Sequence, residues 1–371
     1  MTRSRLAVVA TALLLVVSTG AVGAVTPAQS VESADGVQAH GASIAPEMDH
    51  GQALQAQQSS CSFPVEVTDA TGETVTVEEE PDRVVALGAS VAQTMWAIDA
   101  ESTVVGLPTG YTTAYLNGSQ NRTNVLGTNQ NPIVENIVDL DPDVVLAANI
   151  IDEDGVETLR ENGLTVVSFE EASSLEDVTE KTRLTGELVG SCDDANAVAD
   201  EMESTIESVR EDASEGENPS VYYAMGGGWT AGPDTFIGDV IATAGGDNVA
   251  AAADIQTYGE ISEEVIAQEN PDWIVMPEGR QLRTSAAINA TTAVRNDQII
   301  KVNANFISQP GPRVTEPLGT LSAAFSPGSE TENDTTDTSG TTEAGDGFGP
   351  GFGPVAALVA IVSAGLLARR P

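Results

Sequence analysis

Two matching stretches decide the fold: Glu135-Asn-Ile-Val-Asp-Leu-Asp-Pro142-Asp143-Val-Val-Leu and Glu264-Val-Ile-Ala-Gln-Glu-Asn-Pro271-Asp272-Trp-Ile-Val. In each stretch a Glu opens a short amphipathic helix, a Pro follows seven residues later, and an Asp begins an apolar strand. Pro ends the helix and the Pro-Asp pair turns the chain into the strand. Because the same unit occurs twice, the sequence predicts two similar halves.

Short β-branched runs alternate with helical stretches around these two units, which predicts an α/β fold with two Rossmann-like lobes and parallel sheets. The predicted strands are Arg83–Leu87, Thr103–Val105, Asp143–Ala147 and Thr165–Ser168 in the first half, and Val221–Met225, Trp273–Met276 and Ile299–Val302 in the second. Between the halves, apolar residues recur at helical spacing across 175–210. We therefore predict an N-terminal lobe at 61–174, one long rigid connecting helix at 175–210 and a C-terminal lobe at 211–326.

Each lobe opens with a strand that runs into a turn of small residues, and we expect a helix to follow. The first turn is Gly88-Ala-Ser90 and the second is Gly226-Gly-Gly-Trp229. Ligands of open α/β sheets bind beyond the carboxyl ends of the strands, near helix N-termini. Two such lobes that face each other would form a ligand-binding cleft.

The composition is strongly acidic. The 371 residues include 56 Asp and Glu against 15 Lys and Arg, of which only two are Lys, for a net charge of −41. Such a chain repels phosphate backbones, so the sequence indicates no nucleic-acid partner. The acidic residues are spread along the chain, which favours a surface adapted to molar salt, where charges are screened over a few ångströms. The alternative is an ordinary acidic secreted protein.

The first 60 residues are typical of an export signal and a linker. Arg3 and Arg5 precede an apolar run and a small-residue cleavage site, which predicts a signal peptide at 1–24. An N-terminal membrane anchor is the alternative, but the run is short for a membrane span. The polar, non-periodic residues 25–60 indicate a flexible leader.

The C-terminal segment predicts a membrane anchor. Residues 327–346 are rich in Ser, Thr, Asp and Glu and indicate an extended stalk. Within 347–371, a Gly/Pro-rich motif containing Pro350-Gly-Phe352 precedes an apolar helix and two terminal arginines. This order resembles the Pro-Gly-Phe sorting signal of archaeal surface proteins, in which an archaeosortase replaces the helix with a lipid. We therefore expect an exported protein held at the cell surface by its C-terminus.

Cysteine and histidine are both informative. Cys61 and Cys192 form an even pair in an exported chain, which favours a disulfide over two free thiols. Cys61 lies too far from the apolar run to be a lipoprotein acceptor. Both histidines precede residue 61, so the folded region lacks His-based catalysis and the usual zinc ligands. We therefore predict no catalytic residues, no protein-bound metal and no enzyme cofactor; a carboxylate-dependent hydrolase is the remaining enzymatic alternative.

Roughly residues 62–326 resemble the substrate-binding proteins of ABC importers, most closely the class for cobalamin, siderophore-iron and haem. The similarity rests on the two Glu…Pro-Asp stretches and on the segments Pro81–Leu87, Gly232–Asn248 and Pro310–Arg313. This family has two lobes joined by one rigid helix, as the periodicity also indicates. The partners it implies are an ABC permease dimer with its ATPase.

In this family one acidic residue on each lobe docks onto arginines of the permease. By position these residues are Glu135 and Glu264, with Glu263 as an alternative to Glu264. Such charge pairs orient docking more than they add affinity. The resemblance thus offers a function for the repeated Glu, whereas the helix dipole alone would also favour an acidic first turn.

The candidate ligand-binding residues lie at the expected cleft: Ser90, Tyr111, Tyr115, Trp229, Arg280 and Arg283. Trp229 could stack on a flat macrocycle, or could be a buried core residue. Because the domain lacks histidine, a metal should arrive inside a chelate whose coordination sphere is filled. Cobalamin is our first candidate, and a ferric siderophore or haem the second. A structural surface protein without a transported ligand is the alternative from another class.

Four Asn-x-Ser/Thr sequons are candidate glycosylation sites in an exported chain, at Asn117, Asn121, Asn289 and Asn333.

Overall fold

The structure is a computed structural model, and it describes residues 61–214 and 216–326. The predicted signal peptide, leader, stalk and sorting signal therefore lie outside the described residues, as does Asn333. Within the described ranges, no helix combines the length and apolar character that a membrane crossing requires.

The first lobe holds a five-stranded parallel sheet and a separate hairpin. Its strands are β1 (Val65–Thr68), β2 (Thr74–Val77), β3 (Val84–Leu87), β4 (Val104–Leu107), β5 (Thr123–Asn124), β6 (Val144–Ala147) and β7 (Val166–Ser168). The strand order is β5-β4-β3-β6-β7, and β1 pairs with β2 antiparallel. Helices α1 (Ala89–Ala97), α2 (Val134–Asp139) and α3 (Glu153–Glu161) connect the strands.

The second lobe repeats this plan with a four-stranded parallel sheet. Its strands are β8 (Ser220–Tyr223), β9 (Trp229–Ala231), β10 (Asp247–Asn248), β11 (Tyr258–Glu260), β12 (Trp273–Pro277) and β13 (Ile299–Val302). The sheet order is β10-β8-β12-β13, while β9 and β11 form an antiparallel pair. Helices α6 to α11 follow as Phe236–Thr243, Glu263–Glu269, Ala286–Asn289, Thr292–Arg295, Ala304–Ser308 and Thr315–Phe325.

Each central strand is buried on both faces, so each sheet has helices on both sides. In β3, Val84 and Ala86 join one core cluster while Val85 and Leu87 join another. This explains why the strands are continuous apolar runs rather than alternating ones. The predicted α/β class with parallel sheets is confirmed, and the seven predicted strands are present with ends shifted by up to two residues. The β1–β2 hairpin, the antiparallel β9–β11 pair and the two-residue strands β5 and β10 were not predicted.

The prediction of one continuous helix across 175–210 is wrong. Two helices, α4 (Leu175–Val189) and α5 (Cys192–Ser214), occupy this region and pack antiparallel. Helix α4 ends at Gly190, whose φ of 80° is left-handed. Ion pairs join the two helices, between Glu176 and Arg210 at 2.7 Å and between Arg183 and Asp200 at 2.6 Å.

This α4–α5 hairpin connects the lobes. The start of α4 and the end of α5 pack in the core of the second lobe, through Leu175 and Ile206 among others. The end of α4 and the start of α5 pack in the first lobe, through Leu188 and Ala195. Both helices therefore run from one core to the other. The predicted Cys61–Cys192 disulfide is present and joins the start of the first lobe to the start of α5.

The repeated Pro-Asp has a second role that the sequence did not reveal. One carboxylate oxygen of Asp143 accepts hydrogen bonds from the backbone N–H groups of Asp82 and Arg83, at 2.9 and 2.8 Å. In the second lobe, Asp272 accepts from the backbone N–H and the hydroxyl of Ser220, at 2.9 and 2.8 Å. Each Asp thus holds the start of the neighbouring strand, β3 or β8, in register with its own strand.

Candidate ligand-binding cleft

The glycine turn after β8 leads directly into a strand. Gly226, Gly227 and Gly228 all have positive φ, from 66° to 97°. The backbone N–H of Trp229 donates to Gly226 at 3.1 Å, and that of Met225 donates to Trp229 at 3.0 Å. The chain therefore reverses tightly and starts β9 at Trp229. The helix expected here, α6, begins only at Phe236, after β9.

Two aromatic side chains stand exposed on the β9–β11 pair. Trp229 is 46% exposed and Tyr258 is 45% exposed. Trp229 lies opposite Glu260 and Tyr258 lies opposite Ala231, so the two rings are diagonal neighbours on one face. The exposure of Trp229 rules out the alternative that it is a core residue. Sequence reasoning missed Tyr258, because the strand that carries it is only three residues long.

Two arginines frame the same turn. Arg283 donates from Nη2 to the carbonyl oxygen of Gly227 at 2.9 Å. Arg280 and Trp229 line a cavity of about 540 Å³ together with the glycine turn, Met225 and the segment 279–281. Both arginines are exposed. The structure thus brings together three of the six predicted ligand-binding residues, Trp229, Arg280 and Arg283.

The first lobe and α4 contribute a group of acidic residues, which we call the acidic wall: Glu170, Glu171, Asp177 and Glu180. The segment after β7, from Phe169 to Ala172, lines a second cavity of about 280 Å³ with Asp177, Glu180 and Lys181 of α4. Burial first, and then the negative charge of Glu171, raises the pKa of the Tyr258 hydroxyl. The charge of Glu171 therefore reaches the β9–β11 pair, and the space between this segment and the aromatic face is the candidate cleft.

The other three predicted ligand residues are placed elsewhere. Ser90 is buried in the first turn of α1, and Tyr111 is 84% exposed in the loop after β4. Tyr115 is half-buried and its hydroxyl is hydrogen-bonded to Gln93 and Gln309. None of the three lines the cavity beside Trp229. Tyr115 joins the lobes rather than presenting an open wall.

The repeated glutamates occupy equivalent surface positions. Glu135 is the second residue of α2 and Glu264 is the second residue of α7, and both are exposed. Helix α2 leads into β6, which pairs with β3, and α7 leads into β12, which pairs with β8. The two carboxylates therefore lie at matching places on the two lobes.

The described sequons are exposed at their asparagines, Asn117, Asn121 and Asn289, and their glycosylation stays a prediction. Across 61–214 and 216–326, no group of three His, Cys, Asp or Glu is arranged to hold a metal ion.

The sequence is similar to known families and to several known proteins. Residues 84–305 match the family described as periplasmic binding protein, and residues 349–370 match the PGF-CTERM motif. Cobalamin-binding proteins from two strains of Halobacterium salinarum are 37% identical over 340 residues, which cover 88% of this chain and 85% of theirs. A Bacillus subtilis ABC transporter substrate-binding lipoprotein is 28% identical, covering 74% of this chain and 89% of its own.

Solved structures show the same fold. The apo haem-binding protein RhuT from Roseiflexus sp. RS-1 superposes with a TM-score of 0.59 at 23% identity, covering 66% of this chain and 97% of its own. The vitamin B12-binding protein BtuF of Vibrio cholerae gives a TM-score of 0.58 at 18% identity with the same coverage.

The PGF-CTERM match also confirms the prediction that the protein is exported and anchored at the cell surface by its C-terminus.

Proposed function

Because this chain belongs to the periplasmic binding protein family, we propose that its cleft captures a cobalamin-type corrinoid and delivers it to an ABC permease. The members of this family are binding proteins rather than enzymes. Membership therefore also argues against a purely structural role at the cell surface. The name of the Halobacterium salinarum relatives supports this ligand, and their source fits the acidic, salt-adapted composition.

The observation that carries the ligand assignment is the exposed aromatic face beside the arginine-lined cavity. A corrin ring is flat and largely apolar, so it can cover Trp229 and Tyr258. Its amide side chains offer carbonyl oxygens that the exposed Arg280 guanidinium can reach as a donor. The cobalt arrives already coordinated, so the lack of histidine in the lobes is no obstacle.

Haem or a ferric siderophore is the second candidate, supported by the tyrosine in the cleft. Haem iron takes an axial protein ligand, which in some proteins is a Tyr. Tyr258 is exposed at the right surface, but burial and the nearby Glu171 raise its pKa. A raised pKa makes the phenol harder to deprotonate, so it gives no support to a bond between Tyr258 and ferric iron.

Calorimetric titration of the full chain in molar KCl tests the ligand, with cyanocobalamin, hemin and a ferric hydroxamate as probes. We expect saturable binding of cyanocobalamin and at least about tenfold weaker binding in Trp229→Ala, since loss of stacking and burial removes more than about 1.4 kcal/mol. Trp96→Phe is the matched control, because Trp96 lies in the first lobe. If hemin binds and cyanocobalamin does not, the corrinoid assignment is wrong.

We propose that Glu135 and Glu264 are the docking residues for the two halves of a permease dimer, which its ATPase drives. Their matching, exposed positions on the two lobes support this. Glu135→Ala with Glu264→Ala should abolish cobalamin uptake by cells and leave binding in solution unchanged. Glu153→Ala with Glu269→Ala is the control, since it removes the same charge from the start of α3 in the first lobe and from the far end of α7 in the second. Unchanged uptake in the first pair would contradict the assignment.

A further inference from the structure

The lobes contact each other next to the α4–α5 hairpin, through side chains that lie outside the aromatic face. The first lobe contributes α1 and the loop 110–117, and the second contributes α10 and the turn Pro310–Arg313. This contact is separate from the Trp229 cavity, and the proposed ligand site makes no use of it.

The centre of the contact is Gln93 of α1, which is 1% exposed. Its Oε1 accepts from the backbone N–H of Arg313 at 2.9 Å, and its Nε2 donates to the hydroxyl of Tyr115 at 2.9 Å. That hydroxyl donates in turn to Oε1 of Gln309 at 3.0 Å, and Gln93 Nε2 lies 3.5 Å from the same oxygen. The three side chains form a closed triangle that spans both lobes.

Aromatic and backbone contacts surround the triangle. The Tyr115 ring meets the Phe306 ring edge-on at 5.3 Å, and the Arg313 guanidinium lies 4.0 Å from the centre of the Phe306 ring. Gln309 Nε2 also donates to the carbonyl oxygen of Thr112 at 3.0 Å. Tyr115 and Thr112 belong to the first lobe, whereas Phe306, Gln309 and Arg313 belong to the second. The polar groups are therefore shielded from water by residues of both lobes.

Two further features fix the C-lobe side of the contact. A Cβ at Gly311 would lie 2.6 Å from Gln93 Oε1, so only glycine lets the turn approach this closely. Lys181 of α4 donates from Nζ to the carbonyl oxygen of Pro310 at 2.8 Å. The turn is thus held by both α1 and α4.

Separating the lobes here is energetically unfavourable. The movement would exchange the hydrogen bonds that Gln93 and Gln309 make between the lobes for bonds to water, at a net cost of about 0.5 to 1.5 kcal/mol each. Partners on both lobes would be affected at once. A state with the lobes rotated apart is therefore rarely populated.

We infer that Gln93, Tyr115 and Gln309 form a latch that fixes the angle between the lobes before any ligand arrives. The latch sets the width of the cleft between the acidic wall and the aromatic face. Gln93 and Gln309 are positioning residues, since they act on the ligand only through the placement of the lobes. The effect on ligand affinity rests on the proposed function, whereas the fixed angle does not.

The angle is measured without ligand by a distance between two spin labels, on Asp154→Cys in α3 and Gln268→Cys in α7. Both positions are exposed, and the chain's own two cysteines are joined in the disulfide. We expect one narrow distance distribution in the otherwise unchanged full chain and a broader or shifted one after Gln93→Ala. Tyr115→Phe should broaden it less, because only the bridging hydroxyl is lost, and it serves if Gln93→Ala does not fold.

Gln298→Ala is the matched control, since the side-chain amide of Gln298 bonds to Asn296 within the second lobe and neither residue belongs to α10 or to the turn Pro310–Arg313. It should leave the distribution narrow. An unchanged distribution in both latch variants, or equal broadening in Gln298→Ala, would overturn the inference.

Cyanocobalamin affinity gives the second readout. If the latch variant spends one tenth of its time at the competent angle, its apparent Kd rises about tenfold. If the unmodified chain does not bind cyanocobalamin, the proposed function is wrong. The latch is then tested by the distance distribution alone. A broadened distribution with an unchanged Kd would show that the latch does not position the ligand site.

Discussion

The turns that follow β3 and β8 occupy the same place in the two lobes, yet they are built differently. After β3, Gly88 has a φ of 156° and packs so closely that a Cβ would overlap Ala148, and α1 begins at the next residue. After β8, three glycines with positive φ reverse the chain into β9, and a Cβ on Gly227 would meet only the Trp229 ring, at 4.0 Å. One topology therefore supports a closed turn in the first lobe and an open one in the second.

The two turns therefore place different kinds of residue, one set at the contact between the lobes and the other at the surface. The closed turn sends α1 into the interior, where Gln93 joins the two lobes. The open turn places Trp229 at the surface, with Tyr258 beside it and Arg280 at the cavity. The two lobes share a parallel sheet and the paired Asp143 and Asp272, whereas the residues that we propose for ligand binding are concentrated in the second lobe.

The largest expected effect comes from removing the disulfide, because this bond stabilises the first lobe and not the second. The disulfide closes a loop with a sequence separation of 131 and ties only the first lobe to α5. Cys61→Ser with Cys192→Ser should lower the free energy of unfolding by up to about 5 kcal/mol. Urea unfolding in molar KCl measures the total, and hydrogen exchange should show β3 and β6 losing protection before β8 and β12. Equal loss in both sheets would mean that the lobes unfold as one unit.

The two turns themselves can be compared directly. Gly88→Ala forces a Cβ into Ala148 at a positive φ, which should cost about 3 kcal/mol. Gly227→Ala meets no close neighbour, so only the left-handed backbone counts, at about 1 to 2 kcal/mol. Urea midpoints of the two variants measure the difference. Similar costs would show that the second turn is as tightly packed as the first.

The paired aspartates should respond alike, in contrast to the turns. Asp143→Ala and Asp272→Ala each remove a carboxylate that accepts two hydrogen bonds at the start of a central strand. We expect each to lose about 1 to 2 kcal/mol of unfolding free energy. Asp139→Ala, on the exposed side of α2, is the control and should change little. A loss confined to one lobe would show that the repeat is structural in that lobe alone.

The sequence predicted the lobes and the parallel strands from the repeat and the apolar runs, and the disulfide from the even pair of cysteines. It failed where tertiary contacts decide. The periodicity of 175–210 cannot show that Gly190 turns left-handed and that Gly186 lets α5 pack against α4. It also gives no sign that Gln93, an uncharged residue within α1, pairs with Gln309 more than two hundred residues later. Trp229 stood out because aromatic residues are few, whereas Tyr258 lay in a strand too short to recognise.

The smallest expected effect is a pH dependence of stability caused by Lys181. This residue of α4 bonds to Pro310, which directly follows the latch residue Gln309. Burial lowers its pKa to about 8 although Asp177 acts in the opposite direction. Between pH 8 and about 10 the unfolded chain keeps the proton that the folded chain has released. Unfolding then takes up a proton, so the free energy of unfolding rises with pH, by at most about 1.4 kcal/mol per unit. Below pH 8 both states are protonated and this contribution to the slope vanishes.

Lys181→Met should remove that rise, which urea unfolding at pH 7.5, 8.5 and 9.5 in molar KCl would measure as a difference from the unmodified chain. The raised pKa values of Tyr222 and Tyr223 affect both proteins equally, so they cancel in the difference. The chain's other lysine, Lys301, is exposed on β13, and Lys301→Met should leave the rise in place. A rise that survives Lys181→Met would mean that another group causes it and that burial does not lower the pKa of Lys181 in the folded chain.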